Sequence, residues 1–183
     1  MKCINFDRAF ERYMAGWMKE NSEKYKDDMD VIEDMMPDVY LEFLQKPADF
    51  LDGVAPQNYF EQFDDADMLV GWLCDYIAQG VPVPDLLLER ITSLGESAEK
   101  SLLALLDRTD LPEETEMTVV SLLREMESQA PMQRYIDFIA SLEEPSDKGD
   151  LCAEALLSMG EAVVAPVLAA LSGAGQAGRD IFA

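Results

Sequence analysis

Phe6, Phe10, Tyr13, Met14, Trp17 and Met18 recur at the i, i+4, i+7, i+8 spacing of one helical face, with Asp7, Arg8, Glu11, Arg12 and Lys19 on the other. Tyr25, Met29, Ile32 and Met36 form a second apolar stripe. Pro37 is expected to close it, because proline biases the preceding residue away from helix. A third helix is expected from Asp38 to Leu44, with turns at Pro47 and Asp52-Gly53. Pro56 opens a short helical piece, PQNYFEQF. Asp64 or Asp65 then suits the N-cap of a helix over Ala66 to Gln79 that buries Leu69, Trp72, Leu73, Tyr76 and Ile77 and stops at Gly80. Val81 to Pro84 reads as an extended connector.

Beyond that connector the pattern repeats itself. Leu86–Asp107 aligns with Leu151–Ser172 at an offset of 65 without a gap, and 8 of the 22 pairs are identical, including Ser93/Ser158, Gly95/Gly160 and Glu96/Glu161. The expected elements are a helix capped by Asp85 and running to Leu94, a turn at Gly95, and an antiparallel mate from about Ser97 to Arg108. Pro112 opens a helix to about Glu127, and Pro131 another to Leu142. The linker EEPSDKGD precedes the second matching pair, Leu151–Met159 and Ala162–Leu171. Halving the offset gives units of about 32 residues, and Met117 to Leu142 supplies the middle one. Leu102, Leu103 and Leu106 should match Ile136 and Ile139, then Val167, Leu168 and Leu171, as core seams between helices. Residues 173–178 are glycine-rich and read as flexible; Ile181 and Phe182 look like the start of one more helix, left by an interrupted repeat or an unusual cap.

No segment alternates with β-branched enrichment, so essentially no sheet is expected. The predicted fold class is all-α: an α-solenoid of antiparallel helix pairs, right-handed, over residues 85–183. Residues 1–84 form an N-terminal helical segment, a cap or divergent repeats, and the two parts pack as one continuous domain.

LGESAEKSLLALL and MGEAVVAPVLAAL resemble short bacterial HEAT-type repeats, in which a first helix ends at a Leu-Gly-acidic turn and a second opens on small residues. Leu94-Gly95-Glu96 and Met159-Gly160-Glu161 match the turn, and Pro166-Val167 matches the opening in part. Met126-Glu127-Ser128 departs from it, having no glycine. The resemblance covers roughly residues 85–172 and implies a scaffold that binds other proteins.

Charge narrows the partners. Thirty-seven acidic against 14 basic residues give a net −23, spread along the chain without an acidic tail. A nucleic-acid binder needs clustered Lys and Arg, so nucleic acid is excluded, as is an anionic membrane surface. A basic protein or peptide would be attracted. Cys3, Cys74 and Cys152 lack pairing or zinc spacing, and no stretch forms an apolar leader core or a membrane span. A cytoplasmic location is expected.

Catalytic chemistry finds little foothold. The chain has no histidine, which removes Ser–His and Cys–His pairs and imidazole zinc sites. Ser97 and Lys100 have the S-x-x-K spacing of serine acyl-enzymes, but the partner motifs are missing and Ser97 reads better as a helix-capping residue. Asp64, Asp65 and Asp67, and Asp27, Asp28 and Asp30, are clustered without a calcium-loop pattern. Trp17, Tyr59, Phe60, Phe63, Trp72 and Tyr76 could line a pocket but read more simply as core. Met14, Met18, Met29, Met35 and Met36 could form an adaptable groove but read as gap-fillers. No catalytic, cofactor or metal residue is assigned, and no cofactor is implied. The expected function is a non-enzymatic protein–protein interaction scaffold binding on its solenoid surface. Two alternatives stay open: an enzyme or lyase-like cofactor chaperone with a carboxylate pocket, and an acidic decoy of nucleic acid.

Overall fold

The computed structural model describes residues 3–21 and 29–182, and they contain ten α-helices and no strand. The helices are α1 (Phe6–Asn21), α2 (Met29–Gln45), α3 (Ala66–Ala78), α4 (Asp85–Ser93), α5 (Glu96–Leu106), α6 (Glu113–Glu125), α7 (Met132–Ala140), α8 (Asp147–Ser158), α9 (Val164–Leu171) and α10 (Gln176–Phe182). Short 3-10 turns at Asp49–Leu51, Pro56–Asn58, Phe60–Gln62 and Gly160–Val163 fill the connections. The chain divides into two compact units, residues 1–90 and 91–183, with the boundary inside α4. Tyr25, Asp27 and Asp28, and the side chains of Met29 and Asp30, lie outside the described residues.

In the first unit α2 packs on α1 and on the turn at Pro56. Pro37 does not end a helix as its sequence position suggests; α2 runs straight through it, so the two expected helices are one. A proline there removes one backbone bond and crowds the preceding turn, at about 3 kcal/mol. Ile32, Val39 and Phe43 lie on one face across the proline and are all buried, while Pro37 itself is exposed. Burying that stripe, at roughly 1.5–3 kcal/mol per large side chain, outweighs the local penalty. Phe6 meets the rings of Phe50, Tyr59 and Phe60 at centroid distances of 6.3, 6.1 and 5.7 Å. The Tyr76 hydroxyl donates to the Ile4 carbonyl at 3.0 Å and accepts from the Ile4 amide at 3.1 Å, tying the start of the described chain to α3. Asp65 caps α3 by accepting from the Met68 amide at 3.0 Å.

In the second unit α6 packs on α5 and α8, and α7 packs on α8, α9 and α10. Leu102, Leu106, Val119, Leu123, Ile136 and Ile139 make its core. After α6, where the repeat lacks its glycine, Glu127 itself adopts a left-handed φ of 55° and the Ser128 amide closes on the Leu123 carbonyl at 2.9 Å. The positive φ is thus kept without glycine, at the cost of about 1 kcal/mol of backbone strain.

Gly95 and Gly160 follow helices that end at matching positions, Ser93 and Ser158, and both take positive φ, 56° and 70°. Burial also corresponds: 14 of the 22 paired positions fall in the same class, and at seven of the other eight the second copy is the more exposed. The deviation therefore has a direction, which locates the site described below.

The C-terminal part corrects two expectations. The last half of the linker EEPSDKGD is helical, because Ser146 accepts the Gly149 amide at 3.1 Å and starts α8 at Asp147. The glycine-rich stretch is ordered against α7: Gly175 donates to the Ala140 carbonyl at 2.9 Å and Gly178 to the Leu142 carbonyl at 3.3 Å. Glycine is needed here for close backbone approach.

Candidate functional site

Leu157 on α8 and Val164 and Leu168 on α9 are 78%, 53% and 64% exposed. They line a groove of about 270 Å³ together with Ile139, Leu156, Val163 and Val167, and with Ile181 and Phe182 of α10. Leu168 thus corrects the expectation of a third core seam; Val167 and Leu171 beside it are only half-buried. Helical periodicity puts these residues on one apolar face, but periodicity does not say whether anything covers that face.

The repeat makes the exposure informative. At the offset of 65, Leu157 stands where the first copy has Thr92, and Val164 where it has Glu99; Leu168 matches Leu103. In the first copy all three positions are half-buried. The copy with more cover carries the polar residues, and the open copy carries apolar ones. Burial alone would favour the reverse arrangement, and a contiguous exposed apolar patch of this kind is typical of interaction sites. The Thr-to-Leu and Glu-to-Val changes were visible in the aligned repeats; they are the signal that reasoning from the sequence missed.

Electrostatics around this unit are acidic. From residue 143 onward the sequence carries seven acidic and two basic side chains, and Glu154 among the acids pairs with Arg124. Of the two bases, Lys148 is held half-buried in an ion pair with Glu116 and lies 4.1 Å from the Phe138 ring centroid. Beside that pair, a small cavity of about 50 Å³ is lined by Glu116, Tyr135, Lys148 and Cys152, among others. Burial pushes the Cys152 thiol up to about 11, which keeps it protonated and unreactive. The Tyr135 hydroxyl is buried there without a hydrogen-bond partner, and burial raises its ionisation well above the usual phenol range. Arg134 caps the end of α5 through the Leu106 carbonyl and pairs with Asp107 at 2.7 Å.

The other sequence candidates resolve into structure. Ser97 donates back to the Leu94 carbonyl at 3.0 Å, and Lys100 turns away to pair with exposed Glu96 at 2.6 Å. That hydrogen bond and charge lower the Glu96 carboxyl and raise the Lys100 amine. Serine and lysine therefore form no nucleophile–base couple. Ser97 does not cap either: Gly95 is the N-cap of α5. Asp65 caps α3, and Asp64 pairs with Arg90, whose Nε also donates to the Phe63 carbonyl at 3.0 Å. Phe60 and Tyr76 are fully buried, while Trp17, Tyr59, Phe63 and Trp72 are half-buried; Phe63 meets Trp72 edge-on at 4.7 Å. Met14, Met18, Met35 and Met36 are half-buried. Among the described residues no three of His, Cys, Asp and Glu gather as metal ligands would, and no helix is long and apolar enough to cross a membrane.

The described residues form helices and turns without a strand, and they expose an apolar face along this groove. Comparison with known protein families, with characterised proteins and with solved structures finds no match.

Proposed function

We propose that the protein is a non-enzymatic interaction scaffold: HEAT-like helix pairs stacked as a solenoid, whose groove on α8 and α9 receives an apolar-faced helix of a partner protein with basic flanks. The observation that carries it is the inverted polarity of the repeat, with Leu157 and Val164 exposed where the better-covered copy has Thr92 and Glu99. The matched turns at Gly95 and Gly160 support stacking of equivalent units. The net charge of −23 favours a cationic partner and speeds its encounter. An exposed apolar groove is also the ordinary receptor for the apolar face of an amphipathic helix.

Affinity purification of the intact protein, in parallel with a Leu157→Ser/Leu168→Ser double variant, tests this. The expected result is a partner whose cross-links join α8 and α9 to a basic-flanked helical segment and whose retention is lost in the variant. A partner retained equally by both proteins would remove the groove from the function.

A further inference from the structure

We propose that the small cavity between α6, α7 and α8 is a binding site for internal water, which the Tyr135 hydroxyl shares with the Glu116–Lys148 pair. The cavity has no lining residue in common with the apolar groove, so this inference is independent of the docking reading.

Three helices build the site. Glu116 and Val120 come from α6, Tyr135 from α7, and Lys148 and Cys152 from α8. Val120 and Cys152 are buried, as is Tyr135 at 2% exposure, whereas the Glu116 and Lys148 side chains keep 22% and 20%. The interior is therefore closed, with the ion pair at its rim. The Tyr135 hydroxyl is buried without a hydrogen-bond partner. After burial, the influences on its ionisation come from Cys152 and Arg134, both of which line the cavity, so the hydroxyl stands on the cavity side of the ring.

A buried hydroxyl is costly to leave unpaired, and such groups in proteins are nearly always satisfied by protein or by water. The neighbours have capacity to complete a network. One bond between Lys148 and Glu116 leaves further lone pairs on the carboxylate and further protons on the ammonium, and the protonated Cys152 thiol is a weak donor.

Size and chemistry select the guest. A water needs about 10–15 Å³ of such space and two to four polar partners, and the cavity offers about 50 Å³ with these groups around it. An apolar guest would leave the hydroxyl unpaired. A cation would meet Lys148 and Arg134. An anion would find Lys148 engaged by Glu116 and Arg134 by Asp107 and the Leu106 carbonyl, with a carboxylate beside it. What fits is a compact neutral molecule that both donates and accepts. Water of this kind ties α7 to α6 and α8 through polar contacts inside an otherwise apolar core.

A high-resolution crystal structure of the intact protein should show ordered solvent about 2.8 Å from the Tyr135 hydroxyl oxygen and within hydrogen-bond reach of Glu116 or Lys148. Tyr135→Phe should lower the melting midpoint by about 2–4 °C, because a bridged hydroxyl contributes to stability. An orphan hydroxyl gives the opposite sign, since its removal relieves a penalty. Val120→Ile adds a methyl group to the cavity wall and displaces the water. Its effect on the midpoint should be about twofold or more smaller in the Tyr135→Phe background, where no hydroxyl is stranded. Any of four results would overturn the inference: no solvent at that oxygen, a protein group bonded to it instead, an unchanged or raised midpoint for Tyr135→Phe, or equal losses from Val120→Ile in both backgrounds.

Discussion

Gly178 lies so close to the backbone of Ile139 that a Cβ built on it would overlap the Ile139 carbonyl oxygen. Backbone cannot move aside as a side-chain tip can. Gly178→Ala should therefore cost about 1–3 kcal/mol and loosen α10. Gly71, inside α3 with nothing near its Cβ position, is the opposite case. Gly71→Ala should add about 0.5–1 kcal/mol. Urea unfolding of both variants checks the pair of opposite signs.

Pro37 predicts a gain. It is exposed within α2, on the face opposite Ile32, Val39 and Phe43. Pro37→Ala restores the missing backbone donor without disturbing the buried stripe. Thermal unfolding should show stabilisation of the order of 2 kcal/mol. An unchanged midpoint would mean that the helix is not held through this residue.

Alkaline pH should weaken the fold. Burial pushes the Cys152 thiol up to about 11 and, against the opposing hydrogen bond from Ile4, the Tyr76 phenol up to about 12. As pH rises past the ordinary values of 9 and 10, the unfolded chain releases protons that the folded chain retains. Stability is then full below pH 9 and falls as pH climbs toward 12. Urea midpoints at pH 8, 10 and 11 should decrease in that order, chosen from this window. A thiolate signal from Cys152 appearing near pH 9 in the folded protein would contradict this.

Leu102 and Leu168 should respond differently to truncation. Leu102 is fully buried, so Leu102→Ala should cost about 2–5 kcal/mol. Leu168 is 64% exposed, so Leu168→Ser should change stability by no more than about 0.5 kcal/mol. A destabilised Leu168→Ser protein would place that side chain in the core and close the groove as a docking site.

Local chemistry was legible where it depended on near neighbours. An N-cap at Asp64 or Asp65, a stop at Gly80 and turns at Gly95 and Gly160 all follow from short-range rules; the structure chooses Asp65 for the cap and gives all three glycines positive φ. The reading of Pro37 failed because the outcome was decided by packing of Ile32, Val39 and Phe43. The glycines at 175 and 178 were read as freedom but serve close approach, which depends on carbonyls more than 30 residues away in sequence. Leu168 was assigned to a seam because an apolar face looks the same in sequence whether covered or bare. Only the paired substitutions at 157 and 164 could have told the difference, through their mismatch with Thr92 and Glu99.

The bonds from Gly175 to Ala140 and from Gly178 to Leu142 have a dynamic consequence. They satisfy carbonyls at and just beyond the end of α7, so peeling away α10 would leave both facing solvent at once. The tail and the last turn of α7 should thus open together as one cooperative segment, with amide protons of the two elements exchanging at a shared rate.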